Sequence, residues 1–416
     1  MISHKNISVF EHQRLRIGEQ GFQQTHLDAL LKLNEYHEGA YFEPISKGIK
    51  FNQYVGVIQV DGLTIEINPK ADKDDDDKKW KGVLLKMLKS CGRIKASSMG
   101  VANVKRQHLN LLEVYFELYL HEVNTLVRKG LVKKYRKHTK NTKALKGKLE
   151  FAGHINRNVI HKERFYTAHQ VYDTNHLIHQ VIFKALNIVD QFTKGTRLYD
   201  LSKRVLLNFP EVDNTITVKQ INNIQLDRKT SNYSYALELA RLIILNYSPD
   251  ISSGKEKMLS LLFDMNQLWE EYVLKQLKNS CLNSDIKVSG QESKSFWGSN
   301  SLRPDVVLRK GTKTYIIDTK WKRPSNSSAS VSDLRQMYTY CRFWDAEKAL
   351  LLYPGEPSQN KFKSYETDDY SKDDQENHTP IDHQCKMGFV SVLDESGELD
   401  QKIGNIVLSL IPITPT

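Results

Sequence analysis

Cysteine is scarce in this chain, four residues in 416, and the four stand apart. Cys91, Cys281, Cys341 and Cys385 form no CxxC pair. That argues against a zinc ribbon, an iron–sulfur cluster or a disulfide framework, and for a reducing cytoplasm. No apolar run approaches the ~20 residues needed to cross a bilayer. Met1-Ile2-Ser3-His4-Lys5 is followed by no apolar core of a secretory signal. Nothing reads GxxxxGK[ST], since Gly311-Thr312-Lys313 lacks the upstream glycine, so no phosphate-cradling loop is present. GxSxG and HExxH are also missing. Acid is the charge in short supply. With 49 Asp and Glu against 60 Lys and Arg, the formal charge is +11 and the pI near 9.1. An anionic partner follows, nucleic acid first and an acidic membrane surface second.

What is there fits a multidomain α+β protein with a polar surface, 39% hydrophobic and 26% charged. Residues 1–75 read as a β-rich N-terminal domain, with a helix over Gln24–Tyr36. Val55–Val60 and Leu63–Ile67 flank Asp61-Gly62, a two-residue hairpin signal. Asp72–Lys79 reads as a solvated loop. Residues 76–254 are mainly helical. Leu112, Tyr115, Phe116, Tyr119 and Leu120 fall at core spacing, and a helix over Asn175–Phe192 takes its cap from Asp173, Thr174 or Asn175. The histidines there (His154, His161, His169, His176, His179) lack metal-site spacing and read as structural or surface residues. Residues 255–416 read as an α/β core: a helix over Met258–Leu277, a strand hairpin, a helix over Ser332–Asp345 capped by Ser332, and a buried strand Ala349–Tyr353. A mobile polar insertion, 358–378, and late strands Phe389–Leu393 and Ile406–Ile411 follow.

Chemistry concentrates in RPDVVLRKGTKTYIIDTKWK, residues 303–322. Two β-branched strands are joined at Gly311, and alternation puts Asp318 and Lys320 on one face; if Asp305 lies across from Asp318, two carboxylates and an ammonium converge. Two carboxylates with waters suit a hard cation such as Mg²⁺, with Mn²⁺ as the alternative. Such an ion lowers the pKa of a bound water and offsets charge on a phosphate, and Lys320 would orient the water or stabilise the transition state. The bland alternative is a surface hairpin with an exposed Asp/Lys pair. Pro304-Asp305 … Asp318-Thr319-Lys320 resembles the PD-(D/E)xK signature of metal-dependent nucleases, in which the Thr319 position is free.

The flanks add weight. Glu270, on the preceding helix, is the candidate further metal ligand, or else a solvated helix residue; Glu271 lies ~100° round the helix and cannot aim at the same point. Gln336 and Tyr340, four apart on the following helix, resemble the QxxxY element of RecB-like nucleases. Lys322 and Arg323 extend the strand as phosphate contacts, and Trp321 is either such a contact or core. Between Arg128 and Lys148 no acid interrupts ten basic residues. Lys133, Lys134, Arg136 and Lys137 are taken from it as DNA contacts, against the reading of a solvated loop.

Taken together, the chain resembles the McrC family, the nuclease subunits of modification-dependent McrBC restriction systems. The likeness rests on Val9-Phe10-Glu11-His12, Ile67-Asn68-Pro69-Lys70, Leu145–Leu149, Tyr172–Asn175, Asp264–Val273 and the Asp305/Asp318/Lys320 set. The resemblance implies a restriction-endonuclease-like C-terminal core and a cytoplasmic, Mg²⁺-dependent endonuclease of double-stranded DNA. It also implies a hexameric McrB-like AAA+ GTPase partner, which recognises modified DNA and is stimulated by the N-terminal part. The alternatives are a stand-alone RecB-like nuclease and a non-catalytic adaptor of a motor GTPase.

Overall fold

The computed structural model describes residues 5–60, 62–69, 77–94, 110–213, 215–249, 257–322, 324, 328–357, 360–365 and 383–413. Contacts gather the chain into two compact units. One comprises Met1–Val57, Gly62–Ala96 and Leu262–Thr416; the other comprises Ile58–Asp61 and Ser97–Leu261. A division at 75 and 254 follows the chain linearly, whereas these contacts place the N-terminal segment and the Asp77–Ser90 helix in one unit with the C-terminal core.

That first unit is built on a six-stranded sheet. Its strands lie in the order Lys287–Gly290, Val306–Lys310, Lys313–Thr319, Lys348–Pro354, Gln384–Val390, Lys363–Ser364. Among the first three each strand is antiparallel to its neighbour, and Lys313–Thr319, Lys348–Pro354 and Gln384–Val390 run parallel. A parallel pair needs a long crossover, and the helix Val331–Trp344 supplies it, packing Met337, Tyr340, Cys341 and Trp344 onto Val307, Ile316 and Leu351. The run Lys348–Pro354 is buried at every position after its first residue, as a central strand requires. The helix Met265–Ser280 buries Leu268, Trp269, Tyr272 and Leu277. Gly404 in the helix Ile403–Ser409 approaches the Gln276 carbonyl so closely that a Cβ would collide with it, which fixes that pair of helices. In the N-terminal segment the helix Gln24–Tyr36 forms as expected, and Lys5–Phe10 runs parallel to Leu63–Asn68.

The second unit carries the helices Leu111–Lys129, Leu177–Phe192, Tyr199–Asn208 and Ser234–Leu245. Tyr115, Phe116 and Tyr119 are core, as their spacing implied, and the Tyr119 hydroxyl donates to the Ile182 carbonyl at 2.6 Å. The basic run is no loop. Lys134–Thr142 is a strand paired along its whole length with Phe165–Asp173, which also pairs with Lys148–Leu149.

Several local expectations are corrected. The helix expected from Met258 begins at Met265: Asp264 accepts from the amides of Asn266 and Gln267 and so caps it there, while Lys257–Asp264 is a strand whose start pairs with Tyr247–Pro249. Ser330, not Ser332, caps Val331–Trp344, accepting from the Asp333 amide. His176 is the N-cap residue of Leu177–Phe192, and the Asp173 carboxylate instead accepts from the Asn175 amide in the turn before it. Ile406–Ile411 is not a strand; Ile403–Ser409 is a helix that buries Ile403, Val407 and Leu408. The loop expected over Asp72–Lys79 meets a helix starting at Asp77, with 72–76 outside the described residues. Of the insertion expected to be mobile, 360–365 is described and includes the edge strand Lys363–Ser364; 358–359 and 366–378 lie outside.

Candidate active site

The register Val306↔Ile317, extended by one rung, sets Asp305 against Asp318. Asp305 precedes its strand and is fixed by Thr319, whose backbone N–H and hydroxyl donate to Asp305 Oδ2 at 2.7 and 2.8 Å. Asp318, on a strand buried from Thr314 onward, is 2% exposed. Lys320 Nζ stands 2.6 Å from Asp318 Oδ2, and this buried oxygen has no other partner among the described residues, so it retains unmet acceptor capacity.

A relay holds the lysine. Lys320 Nζ donates to Gln336 Oε1 at 3.0 Å, Gln336 Nε2 donates to the Tyr340 hydroxyl at 2.8 Å, and that hydroxyl donates to the Arg303 carbonyl at 3.1 Å. Each donor meets an acceptor, which sets the orientation of the Gln336 amide. The relay ties the crossover helix to Lys320 at one end and to the backbone two residues before Asp305 at the other. Glu270 enters from the helix Met265–Ser280 and accepts a hydrogen bond from the Gln291 carboxamide. Glu271, one position on, turns to Arg93 instead, with Nη2 to Oε1 at 2.5 Å.

Three acids in one partly dry volume repel one another. Burial first, and then Asp305 and Asp318, push the Glu270 carboxyl up to about 7. Burial and Asp305 push Asp318 up to about 6 against the pull of Lys320. Asp305 is raised by burial, opposed by its bonds from Thr319. Burial acts to lower the Lys320 ammonium, but Asp318 and Asp305 outweigh it and the net shift is upward. Such mutual strain among acids marks a functional site more often than a structural one. Among the described residues no three His, Cys, Asp or Glu side chains are drawn tightly enough together to form a ready-made metal cage. The donor set that does fit a cation is Asp305 with Asp318, whose buried Oδ2 is poorly satisfied, and Glu270 facing them. A hard ion that keeps several of its own waters needs no more than one or two carboxylates.

Other expected contacts resolve differently. Trp321 is core: 5% exposed, packed on Trp269 with centroids 5.4 Å apart, its indole N–H donating to Glu11 Oε1 at 2.6 Å. Lys322 pairs with Asp333 at 2.7 Å, and Arg323 lies outside the described residues. Lys133, Lys134, Arg136 and Lys137 belong to the other unit. There Lys134 pairs with Asp227, Arg136 with Asp173 and Lys137 with Glu150, while Lys133 is exposed. Sequence reasoning missed Thr319 as the clamp on Asp305 and Gln291 as the partner of Glu270. Gln291 adopts a left-handed backbone (φ 55°) and its N–H donates to the Asp305 carbonyl at 3.2 Å. An isolated Gln carries no sequence signal for either feature.

Residues 49–354, well over half of the chain, match the family described as McrBC 5-methylcytosine restriction system component. The chain belongs to that family. The McrC resemblance drawn from the sequence is thereby borne out at family level. A chain from the refined half-complex of Thermococcus gammatolerans McrB AAA+ hexamers with bound McrC superposes with a TM-score of 0.68 at 18% identity, covering 98% of this chain and 100% of that one. A chain from the cryo-EM structure of the Thermococcus gammatolerans McrBC complex gives 0.50 at 19% identity, over 65% and 87%. At such identities the likeness is one of fold. No curated protein matches the chain. Among the described residues no helix is long and apolar enough to cross a membrane.

Proposed function

We propose that this McrBC-family chain is a Mg²⁺-dependent endonuclease subunit that cuts double-stranded DNA and works with, and stimulates, a hexameric AAA+ GTPase that recognises modified DNA. The observation that carries the catalytic half is the convergence of Asp305, Asp318 and Lys320 from one hairpin, with Glu270 opposite and the Gln336–Tyr340 relay behind. The formal charge of +11 supports an anionic substrate. The fold shared with the Thermococcus complex, in which McrB AAA+ hexamers carry bound McrC, supports the partner.

A divalent ion, when bound, would lower the pKa of a coordinated water and offset charge on the scissile phosphate. The residues that would hold it are Asp305 and Asp318, with Glu270 as a further ligand. Thr319 keeps Asp305 in place. Asp318 and Gln336 hold Lys320 charged and aimed, so that its remaining N–H donors serve the attacking water or a phosphate oxygen as charge develops there. Tyr340 fixes Gln336 against the backbone leading into Asp305.

The test is Asp318→Ala, assayed with the AAA+ partner, GTP, Mg²⁺ and a modified duplex. Cleavage should disappear while stimulation of GTP hydrolysis survives; retained cutting would reject the assignment. The same assay sorts the alternatives. A stand-alone nuclease cuts with Mg²⁺ and no partner, and an adaptor stimulates GTP hydrolysis without any cleavage by the unmutated chain.

A further inference from the structure

Between Lys287–Gly290 and Val306–Lys310 the chain leaves the central sheet and makes a separate two-stranded hairpin, Lys294–Trp297 paired with Asn300–Leu302. Gly298-Ser299 closes it, with Gly298 in the left-handed region at φ 56°. All four residues of Lys294–Trp297 are exposed. Trp297 is 75% exposed and Phe296 51%, in a unit whose other tryptophans are buried.

The placement gives this exposure meaning, because both feet of the hairpin stand in the candidate site. Gln291 at the entry reaches Glu270 and donates its backbone N–H to Asp305. Arg303 at the exit is held through its carbonyl by Tyr340, two residues before Asp305. The base is rigid. Glu292 accepts both guanidinium nitrogens of Arg309, at 2.6 and 2.7 Å, and the Trp344 indole N–H at 3.1 Å. Lys294 Nζ donates to the Phe343 carbonyl at 2.6 Å and lies over the Trp344 ring, while Phe296 packs edge-on against Phe343 at 5.5 Å. Trp297, beside the tip, is the most exposed of the large apolar side chains in the hairpin. Arg309 neutralises the single acid of the segment, Glu292, so Lys294 and Arg303 leave this flank positive.

A rigid, positive, aromatic-tipped arm continuous with a phosphodiester-cleaving site suits a nucleic-acid strand. Bases offer π faces to an exposed indole, and apolar side chains can wedge between base steps. We propose that the Lys294–Leu302 hairpin is a DNA-contacting arm, with Trp297 lying against a base beside the phosphate held at Asp305 and Asp318. Its role is to hold the substrate in register with the site. This rests on the nuclease reading above, and the test keeps the two apart.

In the non-cleaving Asp318→Asn chain, binding of a fluorescein-labelled duplex is followed by anisotropy without metal, with and without Trp297→Ala and Trp297→Phe. Trp297→Ala should weaken binding about tenfold, the size of one lost base–aromatic stack, and Trp297→Phe should restore most of it. In the Asp318-intact chain Trp297→Ala should raise KM more than it lowers kcat. Thermal unfolding should be unchanged, since the ring is exposed. If the intact chain binds and cuts DNA but Trp297→Ala does neither less well, the arm is rejected and the nuclease reading stands. Trp297→Ala that loses the AAA+ partner while keeping duplex affinity also rejects the arm as a DNA contact. An unmutated chain that neither binds nor cuts DNA defeats both.

Discussion

Two polar clusters, one of histidines and a tyrosine in the second unit and one of acids and a lysine in the first, differ in how their protons are accommodated. In the second unit His179, wholly buried, donates through Nδ1 to the Thr174 carbonyl at 2.7 Å and accepts at Nε2 from the Tyr233 hydroxyl at 3.2 Å. That hydroxyl accepts the Val132 N–H at 3.0 Å, and His176 Nε2 donates to the Val132 carbonyl at 2.9 Å. Both ring nitrogens of the neutral His179 imidazole are partnered, while the neighbouring His176 Nδ1 is buried without a hydrogen-bond partner among the described residues, and burial, with His176 adding to it, holds the His179 ring down to about 4. In the first unit Asp318 and Glu270 are pushed the other way by burial and then by Asp305. In one cluster the His179 ring is closed in by partners on both nitrogens and burial holds it in its uncharged form. The other keeps like charges adjacent and an acceptor short of donors, the condition a cation would relieve. Buried polarity alone therefore does not mark a site; like charges held together do.

The largest effect expected from breaking the contrast is on the closed cluster. His179→Ala removes a buried ring and leaves the Thr174 carbonyl and the Tyr233 hydroxyl short of a partner. Denaturant unfolding should register a loss of about 3 kcal/mol, with DNA cleavage per folded molecule unchanged. A loss of cleavage without a loss of stability would move His179 from scaffold to function.

A smaller effect is carried by pH, and its sign differs between the clusters. Asp318 and Glu270 sit at about 6 and about 7 in the fold, above the roughly 4 of ordinary carboxylates. Their contribution to stability is complete below about pH 4 and is lost as pH rises through 6 and 7. His179, at about 4 in the fold against an ordinary value near 6.5, contributes fully above about pH 6.5 and loses this as pH falls through 4. The two trends oppose one another over one window, so single variants reveal them. Without metal, Asp318→Asn and Glu270→Gln should each make Tm climb more steeply between about pH 4 and 7. Adding Mg²⁺ should raise the Tm of the unmutated chain most at the upper end of that range. A Tm profile unaltered by either variant would remove the claim that these acids are strained.

Much of the site was legible because strand alternation and a turn glycine are local rules. Together they set Asp305 against Asp318 and put Lys320 on the Asp318 side, and helix spacing alone joined Gln336 to Tyr340. Tertiary partners were not legible. Thr319 occupies a position any residue can fill in the signature, yet its hydroxyl and amide hold Asp305. Gln291 matters through a left-handed turn that nothing in its neighbours announces. Trp321 stood open between phosphate contact and core, and Glu11, some three hundred residues away in sequence, decides it by accepting its N–H. Fold errors have a similar origin. Leucine-rich runs such as Met258–Phe263 and Ile406–Ile411 suit either helix or strand until a cap or a paired neighbour decides. The basic run, read as DNA contacts with a solvated loop as the alternative, gave no sign of a strand because its charges hid side chains that alternate between partly buried and exposed positions from Lys134 to Thr139.

The central claim is that Asp305 and Asp318 together seat a divalent ion. Crystals of the chain soaked in Mn²⁺, with diffraction recorded at the manganese edge, test it most directly. One anomalous peak about 2.2 Å from carboxylate oxygens of both residues, absent from Asp318→Asn crystals, is the expected result. A peak that ignores both residues, or none at saturating Mn²⁺, would contradict it.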